Sequence, residues 1–373
     1  MEPYLGNPDI PNPNFYGMIA NLDENMGVLM DKLDEWGLAD NTILVFMTDN
    51  GTSGGVKLDK AGYPTKGYNA GMRGLKGSQY EGGHRVPCFV RWPAGKISDS
   101  KDIDLLTAHV DLLPTFMDLA SLETAESLAL DGTSLAPLLR GEGEEARFAE
   151  RVIITDTQRD EWPEKWKKSA TMQGKWRLIN QDELYDIQAD PGQRNNIAEA
   201  HPEVLRSLQE AYEAWWTELE PGFQHFSRAL IGAQEKSVML YGHDWHNIVD
   251  NFGQKGRAAW HQDHIRQGLL ANGDWAVEFA QSGTYEFELW RWPEESKLAI
   301  TAGLPVKAAV PGGKPSPAGN ALPIKQARLE IAGQSMQAEV PAEATSIRFQ
   351  MQIEAGPTEV SFAFEIGFDH RWS

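Results

Sequence analysis

The sequence predicts an α/β portion followed by an antiparallel β-sandwich, and three observations carry that prediction. Residues 12–36 repeat apolar side chains at three- and four-residue steps, the spacing of one helical face. Thr42 to Met47 is an apolar run with no polar alternation, which predicts a strand buried on both faces of a parallel sheet. Beyond Glu220-Pro221-Gly222 the period changes to two, as half-buried antiparallel strands require.

The first helix carries Phe15, Met18, Ile19, Leu22, Met26, Leu29, Leu33 and Trp36 as its stripe. Pro13 suits its first turn and Gly37 the position past its end. Residues 52–74, rich in Gly, Lys and Tyr, read as one long loop, a length that in compact domains signals function or mobility. Val86 to Trp92 reads as a strand stopped by Pro93 and Gly95. Leu105 to Leu119 reads as a helix with a break near Pro114. Arg151 to Thr155 and Gly174 to Ile179 read as short strands. Glu203 to Leu219 is an amphipathic helix with Val204, Leu205, Leu208, Tyr212, Trp215 and Trp216 inward.

In the sandwich, Trp275, Val277 and Phe279 alternate with small or polar residues. So do Tyr285, Phe287 and Leu289, and Phe362, Phe364, Ile366 and Phe368. Residues 309–320 form an exposed loop. The expected domains are 1–145, a small subdomain at 146–222, and the sandwich at 223–373.

A chain of 373 residues with 41% hydrophobic content can bury at least two cores. Its net charge of −20 disfavours nucleic acid and anionic membranes. No run of about 18 apolar residues occurs, so no helix is expected to span a membrane. The single cysteine, Cys88, excludes an internal disulfide and a cysteine-built metal site.

Two segments carry chemistry. Asp49-Asn50-Gly51 ends the first predicted strand, where ligands of open α/β sheets collect. A carboxylate and an amide oxygen are hard donors for Ca²⁺ or Mg²⁺; the same tripeptide also opens turns. Lys76 lies in a glycine-studded stretch, Arg73 to Pro87. Glycine lets backbone approach an anion and lysine supplies a compact charge for sulfate or phosphate. A solvated loop lysine is the alternative.

Taken in order, strand-T-D-N-G, a Gly-rich insertion and G-x-K-G-S-x-Y-E-G-G-x-R-V-P resemble the formylglycine-dependent sulfatases. The resemblance covers most of residues 3–219. It includes Tyr16 to Asp23, Val110 to Thr115, Leu184 to Ile187 and Asp190-Pro191. It implies the C-terminal part of an alkaline-phosphatase-like fold, with a periplasmic or secreted location. It implies hydrolysis of a sulfate ester, expected to be a sulfated glycan. Asp49 and Asn50 would ligate a divalent cation, usually Ca²⁺, and Lys76 would hold the sulfate. His84 would contact substrate or serve structure, and Arg85 would brace the loop on a carboxylate or carbonyl.

The family's nucleophile is a formylglycine made from the first residue of C-x-P-S-R or C-x-A-S-R. Cys88 is followed by Phe89-Val90-Arg91 and does not match, and no serine opens that motif. The family's paired aspartates, second lysine and upstream histidines also have no counterpart. The resemblance therefore implies a chain beginning after them and inactive alone, with an N-terminal sulfatase half or a second copy as partner. Two other readings stand: a non-catalytic polysaccharide-binding protein, and one half of a split or mis-started gene. An in-frame C-x-P-S-R motif in the DNA upstream would separate these.

His243, His246, His261 and His264 form two pairs spaced three apart. They read as junction hydrogen bonders ahead of a zinc site, because no third ligand accompanies either pair. Trp290 and Trp292 are expected on the sandwich face opposite Tyr285, Phe287 and Leu289. There they could stack on sugar rings, unless both faces are covered.

Overall fold

The computed structural model describes every residue except Met1, 98–99, 124–128, 144, 159, 251–260, 311–312, 314 and 367–373. Phe368 and part of the 309–320 loop lie outside the described residues. The chain divides into two compact units, residues 1–158 with 163–221, and residues 159–162 with 222–373.

The first unit begins with helix α1 (Pro13–Glu35). Asn12 caps it by accepting from the Phe15 N–H, and Pro13 occupies the first turn. Strand β1 (Leu44–Met47) follows. The predicted parallel neighbour is corrected here: β1 pairs antiparallel with β4 (Cys88–Arg91), in register Leu44↔Arg91 to Met47↔Cys88. An apolar run reports burial and carries no information on strand direction. All four β1 residues are half-buried, and Phe89 is exposed.

The predicted 52–74 loop contains a hairpin, β2 (Val56–Leu58) and β3 (Pro64–Gly67). Gly67 sits at φ +82°, and a Cβ there would come closer than 3.0 Å to the Gly55 carbonyl. Tyr16 on α1 anchors the hairpin: its hydroxyl donates to the Gly55 carbonyl at 2.9 Å and accepts from the Tyr68 N–H at 3.1 Å. Beyond that anchor the α1 stripe is uncovered. Met18, Ile19, Leu22 and Leu29 are exposed, and Trp36 is 62% exposed.

Helix α2 (Glu81–His84) is a single turn ahead of β4. The predicted helix from Leu105 starts later, as α3 (Leu112–Leu119), which places Pro114 in the first turn. Proline is tolerated there because those N–H groups lack partners in any case. Asp111, fully buried, holds the entrance. Its carboxylate takes both Arg151 Nη atoms, at 2.8 and 2.6 Å, and the Ala108 and Thr133 N–H groups. Burial alone would raise its pKa; these bonds more than offset that and hold it below the ordinary carboxylate range. Short helices α4 (Ala136–Arg140) and α5 (Glu145–Ala149) follow.

A four-stranded antiparallel meander then forms from β5 (Val152–Asp156), β6 (Ser169–Gln173), β7 (Trp176–Ile179) and β8 (Glu183–Asp186). Helix α6 (Pro202–Leu219) covers one face, burying Leu208, Tyr212 and Trp216. Leu178 and Leu184 meet Leu208 on that side. Alternation turns Arg177 and Ile179 to the other face, where Ile179 packs in a cluster touched by Tyr80.

The second unit has a six-stranded sheet. Its path runs β10 (His246–Asp250), β11 (Ala271–Phe279), β16 (Gly356–Ile366), β13 (Ile324–Ile331), β14 (Gln334–Glu339). Strand β9 (Ala229–Ile231) adds parallel to β11. Strands β12 (Gly283–Trp290) and β15 (Ser346–Ile353) form a separate antiparallel pair. Val277, Leu329, Phe349, Met351 and Val360 from both sheets share one apolar cluster with Tyr285, Phe287 and Leu289. Arg291, just past β12, is clasped by four backbone carbonyls near helix α7 (Gln262–Gln267) and two loops. Its Nη1 donates to Ile300 and Ala302, and its Nη2 to Ile265 and Asn320. Burial brings its pKa down to about 10.

Candidate active site

The antiparallel register of β1 and β4 brings the end of β1 beside the end of α2. Thr48-Asp49-Asn50-Gly51 therefore meets the glycine-rich stretch. The Gly51 N–H donates to the Gly83 carbonyl at 2.9 Å, and the Lys76 N–H donates to the Thr52 carbonyl at 3.0 Å. Asp49, Asn50 and Lys76 thus occupy one loop cluster, tied through backbone.

The glycines have a different use from the one expected. A Cβ on Gly51 would fall inside contact distance of the Gly82 carbonyl, and one on Gly82 would meet the Gly74 carbonyl. A Cβ on Gly83 would meet the Ser78 carbonyl, while Gly74, at φ +86°, lies against the Ser78 side chain. Three passes of backbone pack against each other, and only glycine permits it.

Asp49 and Lys76 are exposed, and neither side chain has an ion pair or hydrogen bond among the described residues. Asn50 is half-buried and its amide nitrogen donates to the Gly51 carbonyl at 3.0 Å. Its carboxamide oxygen is left as the donor atom for a cation. Among the described residues no three His, Cys, Asp or Glu side chains converge as a metal site. Asp49 and Asn50 are therefore an incomplete donor set by themselves.

Beneath the cluster lies a hub that local sequence reading missed. Glu81 is 1% exposed. Its carboxylate accepts from Arg177 Nε at 2.7 Å, His84 Nε2 at 3.2 Å and Arg85 Nη1 at 3.4 Å. Its N–H donates to the buried Gln193 Oε1 at 2.8 Å. Burial would raise the Glu81 pKa, but the His84 hydrogen bond and the Arg177 charge more than offset it, to about 2. His84 thus turns its Nε2 to Glu81, and Arg85 braces the same group. The available signal for Arg177 was a charge inside an apolar strand, since buried charges are paired.

A second tie joins the stretch to β8. Tyr80 and Tyr185 both donate to Glu183, at 2.9 and 2.6 Å, and Arg73 stacks 3.8 Å above the Tyr80 ring. Burial, with the neighbouring carboxylate, pushes both phenols well up.

In the second unit the tryptophan expectation is corrected for Trp292. It is 4% exposed, donates Nε1–H to the Ala302 carbonyl at 3.2 Å and lies under the Arg291 guanidinium. It lies two residues beyond Trp290, the end of β12, so strand alternation does not place it. Trp290 is half-buried, opposite Ser346. His246 Nδ1 pairs with Glu161 at 2.9 Å, and His261 caps α7 by accepting from the Asp263 N–H.

Comparison with known proteins bears on residues 11–215. A sulfatase family model matches residues 11–122. A model of the N-sulphoglucosamine sulphohydrolase C-terminal region matches residues 76–215. An N-acetylgalactosamine-6-O-sulfatase of Bacteroides thetaiotaomicron is 31% identical over 239 residues, 56% of this chain and 44% of that protein. Human arylsulfatase A is 29% identical over 223 residues, 52% of this chain and 42% of that protein. An N-acetylglucosamine-6-O-sulfatase of B. thetaiotaomicron is 26% identical over 215 residues, 54% of this chain and 36% of that protein. The chain spans less than half the length of these relatives.

Proposed function

The chain belongs to the sulfatase family, and from that premise we propose that its first unit is the sulfate-binding part of a sulfuric ester hydrolase for sulfated glycans. The observation that carries the reading is the 3.0 Å bond from the Lys76 N–H to the Thr52 carbonyl, which holds an unpaired lysine beside Asp49 and Asn50. Lys76 binds the sulfate. The names of the two B. thetaiotaomicron relatives favour a 6-O-sulfated N-acetylhexosamine.

Asp49 and Asn50 bind Ca²⁺ or Mg²⁺ once further oxygen ligands join them, since either ion needs about six. The described residues do not supply those ligands, and no catalytic step is assigned to a metal here. We read the first unit as part of an alkaline-phosphatase-like domain and the second as a β-sandwich. Trp275 and Trp292 are buried and Trp290 is half-buried, so the aromatic platform of a polysaccharide-binding role for the second unit would have to be Trp290.

Residues 1–373 by themselves are proposed to be inactive, because no residue fills the nucleophile's place. The test has two parts. Calorimetry with a 6-O-sulfated N-acetylhexosamine should detect binding that Lys76→Ala weakens about tenfold, the worth of one charge-assisted hydrogen bond. Aryl sulfate hydrolysis by the pure chain should stay at background. Equal binding by Lys76→Ala sinks the sulfate role; turnover that survives Cys88→Ala sinks the inactivity.

A further inference from the structure

A cavity of about 510 Å³ lies in the second unit, within the size range of ligand sites and outside residues 11–215, which match the sulfatase models. It forms where two hairpin turns meet. One turn, Ala332-Gly333, joins β13 to β14; the other, Glu354-Ala355, joins β15 to β16. Ala332 and Gly333 hold φ of 49° and 75°, as a two-residue turn between antiparallel strands requires.

The polar lining is Gln334, Gln352, Glu354 and Thr358, and Pro357 adds an apolar patch. Two of these side chains are held from β12 and the turn before it. The Thr284 hydroxyl donates to Gln352 Oε1 at 2.8 Å, which leaves the Gln352 amide N–H groups as donors. The Ser282 hydroxyl donates to Glu354 Oε2 at 2.7 Å and accepts from the Ala355 N–H at 2.9 Å, which leaves Glu354 Oε1 as an acceptor. The side chains of Gln334 and Thr358 make no hydrogen bond among the described residues. The lining thus offers carboxamides, a hydroxyl and a carboxylate, with no lysine, arginine or histidine. Carboxamides donate and accept, and a carboxylate accepts from two hydroxyls, which suits a polyol. In a chain of net charge −20, that carboxylate repels a sulfated or otherwise anionic sugar. The chemistry is the reverse of that at Lys76.

We propose that this cavity binds an uncharged sugar, an N-acetylhexosamine that carries no sulfate. Glu354 and Gln352 take its ring hydroxyls, Gln334 and Thr358 complete the set, and Pro357 lies against its C–H face. The cavity does no chemistry. It anchors the chain on stretches of glycan that lack sulfate, while the first unit takes the sulfated residue. The kind of sugar rests on the glycan reading of the first unit; the preference for a neutral polyol does not.

The test is ligand-observed NMR titration of the full chain with N-acetylgalactosamine and with its 6-O-sulfate. The parent should bind the unsulfated sugar. Gln352→Ala combined with Glu354→Ala should weaken that binding about tenfold, the worth of the hydrogen bonds removed, with thermal unfolding matched to the parent. The same substitutions should leave the sulfated sugar unchanged. Lys76→Ala should show the opposite pattern, weaker with the sulfated sugar and unchanged with the unsulfated one. Failure of the parent to bind the unsulfated sugar overturns the pocket, as does binding that survives the double substitution. If the double variant unfolds early, Glu354→Gln, which keeps the shape, should still weaken the unsulfated sugar; equal binding overturns the pocket. Loss of sulfated-sugar affinity in the double variant overturns the charge selectivity. If Lys76→Ala weakens neither sugar while the double variant weakens the unsulfated one, the sulfate reading falls and the pocket stands.

Discussion

Arg177 on β7 and Glu81 at the start of α2 meet with Nε 2.7 Å from Oε1, 96 residues apart in the chain and both buried. This pair ties the lysine stretch to the four-stranded sheet. The rigidity of the candidate site thus depends on a group that touches neither sulfate nor metal in the proposed scheme.

Removing one member of a buried pair strands the other charge and costs about 3–5 kcal/mol. Arg177→Met is expected to lower the urea unfolding free energy by about that amount. His84 and Arg85 remain on Glu81 and set the loss toward the lower end. A loss below about 1 kcal/mol would show that Glu81 is satisfied without Arg177.

The same carboxylate gives a pH dependence of definite sign. Its folded pKa, about 2, lies below the ordinary 4.5. The unfolded chain therefore binds the proton first, and the Glu81 contribution is complete above pH 4.5 and lost as pH falls toward 2. Asp111 shifts in the same direction and steepens the slope. Denaturation midpoints measured across this window should fall in the parent chain and fall less in Glu81→Gln. Identical slopes would contradict the assignment.

Two glycine substitutions should change stability in opposite directions. Gly51→Ala drives a methyl into the Gly82 carbonyl and is expected to cost about 1–3 kcal/mol. Gly27→Ala, inside α1 with nothing within 4 Å of its Cβ, should stabilise by about 0.5–1 kcal/mol. Chemical denaturation of the two variants checks both signs.

The exposed stripe of α1 should be sticky. Contiguous apolar surface of this kind marks association. The pure chain is expected to bind an apolar dye and to self-associate, and Ile19→Lys with Leu29→Lys should reduce both without lowering stability, because neither residue is buried. A monodisperse monomer by light scattering that binds no dye would refute this.

Calcium binding by residues 1–373 should be weak, at or beyond the millimolar end of the protein range, because affinity follows ligand number and charge. Tight binding that survives Asp49→Ala would place the cation elsewhere.

How far the sequence was legible follows from the range of each signal. The helices at Pro13–Glu35 and Pro202–Leu219 declared themselves by period, the first also by proline in its first turn. The alternation of Trp275, Val277 and Phe279 named their inward faces. The direction of β1 was not readable, since its partners run from Cys88, opposite Met47, to Arg91, opposite Leu44. The β2–β3 hairpin escaped because three- and four-residue strands show no period. Strands β13 to β15 were passed over, although Ile347, Phe349, Met351 and Ile353 alternate cleanly with polar residues. Glu81 and Arg177 could not be joined by any local rule, and Trp292 lay beyond the strand whose period was applied to it.

The clasp on Arg291 has an evolutionary consequence. All four of its acceptors are main-chain carbonyls, of Ile265, Ile300, Ala302 and Asn320. Every amino acid carries that oxygen. The side chains at those four positions can drift while the cation keeps its grip, whereas Arg291 itself has no substitute offering the same fork. The surrounding segments are free to diversify around a single immovable pin.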